Sequence, residues 1–90
     1  MKTKNETYCT EFADGTKIDP YSACGCFEGF EPREDVLDNI RAASFIAGIG
    51  LWKTLQGHYG RTINGMVENE IMDWSGIVNW DKVDEILENA

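Results

Sequence analysis

Between Glu31 and Leu55, the apolar residues Val36, Leu37, Ile40, Ala43, Ala47, Leu51 and Leu55 recur at helical spacing. Phe45, Ile46, Ile49 and Trp52 add apolar surface on the other sides, so the second half of this segment is hydrophobic nearly all round. Such a helix has to be buried on several faces, and the rest of the chain must be arranged around it. Ala42, Ala43, Ser44, Ala47, Gly48 and Gly50 keep it thin, which lets neighbours approach closely. Pro32 suits its first position, with Glu34 and Asp35 in the first turn. Gly48 and Gly50 each cost roughly 1 kcal/mol of helix propensity relative to alanine and mark a kink or break.

The flanking segments complete the expected architecture. Gln56 to Gly60 is a glycine-bracketed turn, followed by a second helix over Thr62 to Trp74. Its core stripe is Ile63, Val67, Ile71 and Trp74, with Glu70 at the edge of that stripe. Ser75-Gly76 stops it, and Asn79 is an N-cap for a terminal helix. At the other end, residues 6–18 alternate and turn at Asp14-Gly15, a hairpin signal, with Asp19-Pro20 closing the return strand. Residues 21–31, rich in glycine and aromatics, read as an ordered loop. The predicted class is α+β, a short N-terminal β-hairpin followed by a three-helix cluster. The 90 residues form a single small globular domain, with residues 1–31 as hairpin and loop and 32–90 helical. Ile40, Leu51, Ile63, Val67, Ile71 and Leu87 are expected in the core.

Charge gives the clearest functional hint. Net charge is −8. Residues 61–90 carry Arg61 and Lys82 against seven acids, net −5, whereas residues 1–30 and 31–60 carry net −2 and −1. Direct binding to nucleic-acid phosphates is disfavoured, and the natural partner is a basic protein surface. Asp81, Asp84, Glu85 and Glu88 fall at i, i+3, i+4 and i+7, one face of a helix, with Trp80, Val83, Ile86 and Leu87 opposite. The pairs Asp81/Glu85 and Asp84/Glu88 are like-charged, and each costs a few tenths of a kcal/mol. Over that span the helix rises ~10.5 Å, so its charges are ~3.5 Å apart, near the ~3.4 Å spacing of phosphates along one DNA strand. Glu68, Glu70 and Asp73 extend the row. These seven carboxylates are the candidate partner-binding residues.

The remaining motifs give little chemistry. Cys24-Gly25-Cys26 has one residue between its thiols, where structural zinc sites use two to four. Cys9, Cys24 and Cys26 therefore read as free thiols and no metal is expected; a zinc-stabilised module built on all three is the third-ranked alternative. His58, the single histidine, has no nucleophile or acid partner by spacing, so neither an enzyme nor a cofactor is expected. Residues 1–10 hold no apolar run, and Ala42 to Trp52 is too short for the ~20 residues of a membrane span, which points to the cytoplasm and away from membranes.

In size and charge, though in no motif, the chain resembles the small inhibitors that phages encode against host defences, including anti-restriction and anti-CRISPR proteins. That resemblance implies a non-enzymatic inhibitor that mimics nucleic acid at the basic groove of a nucleic-acid-handling protein. The competing class is a structural or regulatory homo-oligomer, its excess of tryptophan buried between copies; a monomer is preferred to a homodimer.

Overall fold

The structure, a computed structural model, describes residues 7–29, 35, 37–54 and 57–88, except for the side chains of Phe27 and His58. Among the described residues four helices follow one another: α1 (Pro20–Glu28), α2 (Asp38–Gly48), α3 (Gly57–Glu68) and α4 (Trp80–Glu88), with a 3₁₀ turn at Leu51–Thr54 between α2 and α3. The expected opening of the central helix at Glu31-Pro32 lies outside the described residues.

The α+β expectation is overturned: the fold is mostly helical, with no sheet among the described residues. The Asp14-Gly15 turn does form. Its ends meet through Phe12 N–H to Thr16 O (2.9 Å) and a single antiparallel bridge between Glu11 and Lys17. The return arm then runs out. Ile18 donates to Thr10 O at 2.9 Å, and Asp19 already belongs to the next element. An isolated two-stranded ribbon is marginal in water, and here Phe12 and Ile18 secure the turn by entering the core.

Residues 21–28 of the stretch expected as loop belong to α1 instead. Asp19 is its N-cap: Asp19 Oδ1 accepts from Ser22 N–H at 2.7 Å, and Ser22 Oγ accepts from Asp19 N–H at 3.0 Å. This reciprocal box, with Pro20 at the first helical position, starts a helix where a strand end was expected. The bond from the Ser22 backbone, then that from its hydroxyl, lowers the Asp19 carboxyl below its ordinary value. Gly29 in the left-handed region closes the helix.

The central helix behaves as its sequence demands. Ala42 through Ala47 are six consecutive buried residues. α1 packs along α2, and the 3₁₀ turn joins α2 to α3. The break falls at the flagged glycines, with Gly50 at φ 72°. Two close approaches set the packing around α2. A Cβ on Gly48 would overlap the ring of Tyr8, and one on Gly76 would overlap Ser44 O and Tyr8 Cβ. Both glycines are there for space. Ser44, fully buried, ties this knot: its hydroxyl accepts from Cys9 N–H at 2.8 Å and donates to Gly76 O. Buried Asp38 does the same at the other end of α2, accepting from Ala13 N–H at 2.9 Å and Arg41 Nη1 at 2.8 Å.

α3 begins five residues before its expected start, so the Gly57–Gly60 turn is its first turn, and it ends at Glu68 rather than Trp74. Its buried Tyr59 donates to Glu28 Oε2 at 2.6 Å, joining α3 to the end of α1. Burial first, then that bond, then the Cys24 thiol, push the phenol well above its usual value. Of the expected core residues, Ile63 is fully buried and Ile40, Leu51, Val67 and Ile71 are half-buried, whereas Leu87 is exposed.

Candidate partner-binding surface

The surface is built from the end of α3, the turn that follows it and α4. α3 ends in a Schellman motif: Glu70 N–H bonds to Val67 O at 3.0 Å and Ile71 N–H to Met66 O at 2.9 Å. The motif needs a left-handed residue at its centre, usually glycine. Here that residue is Glu70 at φ 63°, alone among the described non-glycine residues in having positive φ. Its side chain is 77% exposed and reaches toward Lys82 Nζ at 4.0 Å.

Beyond it, Met72 and Val78 form a second isolated bridge and both are buried. Asp73 closes the tip between them, accepting from Ser75 N–H at 2.8 Å and Ile77 N–H at 3.1 Å. Its carboxylate is therefore occupied in shaping the turn. Asn79 then caps α4 as expected, with Oδ1 accepting from Lys82 N–H at 3.3 Å.

α4 divides differently from its sequence pattern. Val83 is buried and Trp80 half-buried, its ring 5.2 Å from the Arg41 guanidinium. Asp81, Glu85 and Glu88 are exposed, but Asp84 is half-buried. Ile86 and Leu87, expected to face inward, are 40% and 50% exposed. Lys82 Nζ lies 3.7 Å from Glu85 Oε1 as well as near Glu70, so it links the turn to α4 and offsets part of the like-charge cost. Glu68 is exposed and accepts from Asn64 Nδ2 at 3.0 Å.

Of the carboxylates expected on one exposed face of α4, Asp81, Glu85 and Glu88 are exposed and Asp84 is not, and the apolar pair beside them was missed. The amphipathic spacing of α4 showed where Ile86 and Leu87 lie on the helix, but not that its last turn extends past the core.

Among the described residues the three cysteines are not grouped with one another as metal ligands. Cys24 and Cys26 are two apart on α1, a spacing that points side chains to different faces. Buried Cys26 Sγ donates to Asn39 Oδ1 at 3.0 Å, and none of the three cysteines forms a disulfide with another. Among the described residues no group of three His, Cys, Asp or Glu side chains is placed to hold a metal ion. The side chain of His58 lies outside the described groups. No helix among the described residues is long and apolar enough to cross a membrane.

Comparisons with protein-family models, with curated proteins and with solved structures find no match to this chain.

Proposed function

We propose that the chain is a non-enzymatic cytoplasmic protein that docks α4 and the Glu70 turn against a basic surface of a protein partner. That surface is one that ordinarily handles nucleic acid, with the carboxylates standing in for phosphates, so docking inhibits the partner by competition. The observation that carries the reading is the exposure of Ile86 and Leu87 beside Asp81, Glu85 and Glu88. A face kept only for solubility has no use for apolar side chains, whereas protein interfaces set an apolar centre within a charged rim. Glu70 adds weight: it holds a left-handed position that glycine would occupy with less strain. Sacrificed stability at an exposed carboxylate is what a binding surface produces.

The test is charge reversal on a partner captured from the native host. Glu85→Lys with Glu88→Lys should leave the fold intact: both positions are exposed, the solvent-screened Lys82–Glu85 pair it removes contributes little, and cations suit a helix C-terminus. Association with the partner should slow by at least about tenfold, with a shallower salt dependence. Glu11→Gln, in the N-terminal turn, is the control and should bind normally. Wild-type affinity of the double variant at low salt would refute the proposal.

A further inference from the structure

Five side-chain cations lie among the described residues, and three of them are paired with carboxylates: Lys17 with Glu11, Arg41 with Asp38, and Lys82 with Glu85. Lys53 and Arg61 have no carboxylate within ion-pair distance among the described residues, in a chain where acids outnumber bases sixteen to eight. Both line one open groove of about 690 Å³ between the 3₁₀ turn and α3.

The groove follows from the register of α3. Counting from Gly57, residues 61, 64, 65 and 68 fall within one stripe of the helix, opposite buried Tyr59 and Ile63. Gly57, Gly60 and Gly65 leave the backbone of that stripe bare. Arg61 Nη1 lies 3.1 Å from where a Gly57 Cβ would stand, so its guanidinium folds back along the helix toward the N-terminal end of the groove. Trp52 supplies the facing wall. Its ring edge comes within 3.4 Å of a Cβ position on Gly60, and Trp74 packs on it at 4.9 Å. Lys53 Nζ sits 5.9 Å from the Trp52 ring centre. Further along the helix from Gly57, Asn64 at about 10 Å and Glu68 at about 16 Å present an amide and a carboxylate.

The groove therefore carries two cations, an aromatic wall and two acceptor-bearing side chains. We propose that it binds a nucleoside phosphate. The phosphate sits between Lys53 and Arg61, the ring system lies against the Trp52 wall, and Asn64 and Glu68 receive donors on the base or sugar. The volume fits a ligand of that size. A long polyanion is disfavoured by the net charge of −8, whereas a single mononucleotide carries too little charge for that repulsion to decide. This site shares Glu68 with the candidate docking surface, and its test varies neither Glu68 nor any residue of α4.

The experiment is an amide-shift titration of the full chain with AMP, GMP, CMP and UMP, with inorganic phosphate and the unphosphorylated nucleosides as comparison ligands. The expected result is saturable shifts at Gly57, Gly60, Arg61 and Asn64 for at least one nucleotide. Phosphate alone or nucleoside alone should bind at least tenfold more weakly. Lys53→Gln and Arg61→Gln, both at exposed positions, should each weaken binding severalfold and together abolish it, with unchanged circular dichroism and melting. The proposal is overturned if no nucleotide saturates at millimolar concentration, if phosphate alone matches the nucleotides, or if the double variant binds like the wild type.

Discussion

Replacing Glu70 by glycine should make the protein more stable, although the change removes a side chain and an ion pair. A left-handed conformation costs a residue bearing a Cβ ~1–2 kcal/mol. Glycine avoids that cost, but its freedom in the unfolded chain takes back ~0.4–1 kcal/mol. The Lys82 contact, at 4.0 Å with a 77% exposed carboxylate, contributes at most ~0.5 kcal/mol after solvent screening. The balance is a gain of about 0.5 kcal/mol, which for a domain of this size raises Tm by about 2–4 °C. Glu70→Ala removes the same charge but keeps the Cβ, so it should give no rise. Paired thermal melts followed by circular dichroism at neutral pH and moderate salt read the difference. A fall in Tm for Glu70→Gly, or an equal rise in Glu70→Ala, would show that the left-handed position is not strained, and the support that Glu70 lends to a binding surface would go with it.

Ser44→Ala should destabilise by about 2–4 kcal/mol, because it strands the buried Gly76 carbonyl and the part-buried Cys9 N–H together; denaturant unfolding measures it. Gly76→Ala should be at least as damaging, since its Cβ would overlap backbone rather than a movable side chain. Tyr59→Phe should cost about 1–2 kcal/mol at neutral pH through the lost bond to Glu28. It should also flatten the alkaline limb of the stability profile. The folded phenol holds its proton above the ordinary tyrosine value of about 10 while the unfolded chain releases it, so wild-type stability is complete below that pH and falls as pH rises past it. An alkaline limb equally steep in Tyr59→Phe would place that titration elsewhere.

What could be read in the sequence was what depended on strong, local patterns. The run Ala42–Ala47, apolar but for the small Ser44, is buried throughout. Asn79 caps α4 as its side chain suggests, and the central helix breaks at the flagged glycines. The errors arose where one signal had two uses. Asp19-Pro20 ends a strand or begins a helix with equal propriety, and the choice is made by Ser22 three residues on, which completes the capping box. Tyr8, Thr10 and Phe12 alternate like a strand, yet pairing needs a return arm, and α1 starts before one can form. Gly57 and Gly60 argue locally for a turn, but the anchoring of Tyr59 on Glu28 outweighs their low helix propensity. With that start misplaced, the stripe joining Arg61, Asn64 and Glu68 opposite Trp52 could not be seen. The exposed positions of Asp81, Glu85 and Glu88 were legible because charge spacing is local; the half-burial of Asp84 and the exposure of Ile86 and Leu87 were not, since they depend on where the core ends.

The docking claim is most directly tested by hydrogen exchange on the captured complex compared with the free chain. The expected result is slowed exchange across Glu70–Asp73 and throughout α4, most of all in the turn carrying Ile86 and Leu87, with little change in α1. Unchanged exchange in α4, or protection confined to the Trp52–Gly65 groove, would contradict it.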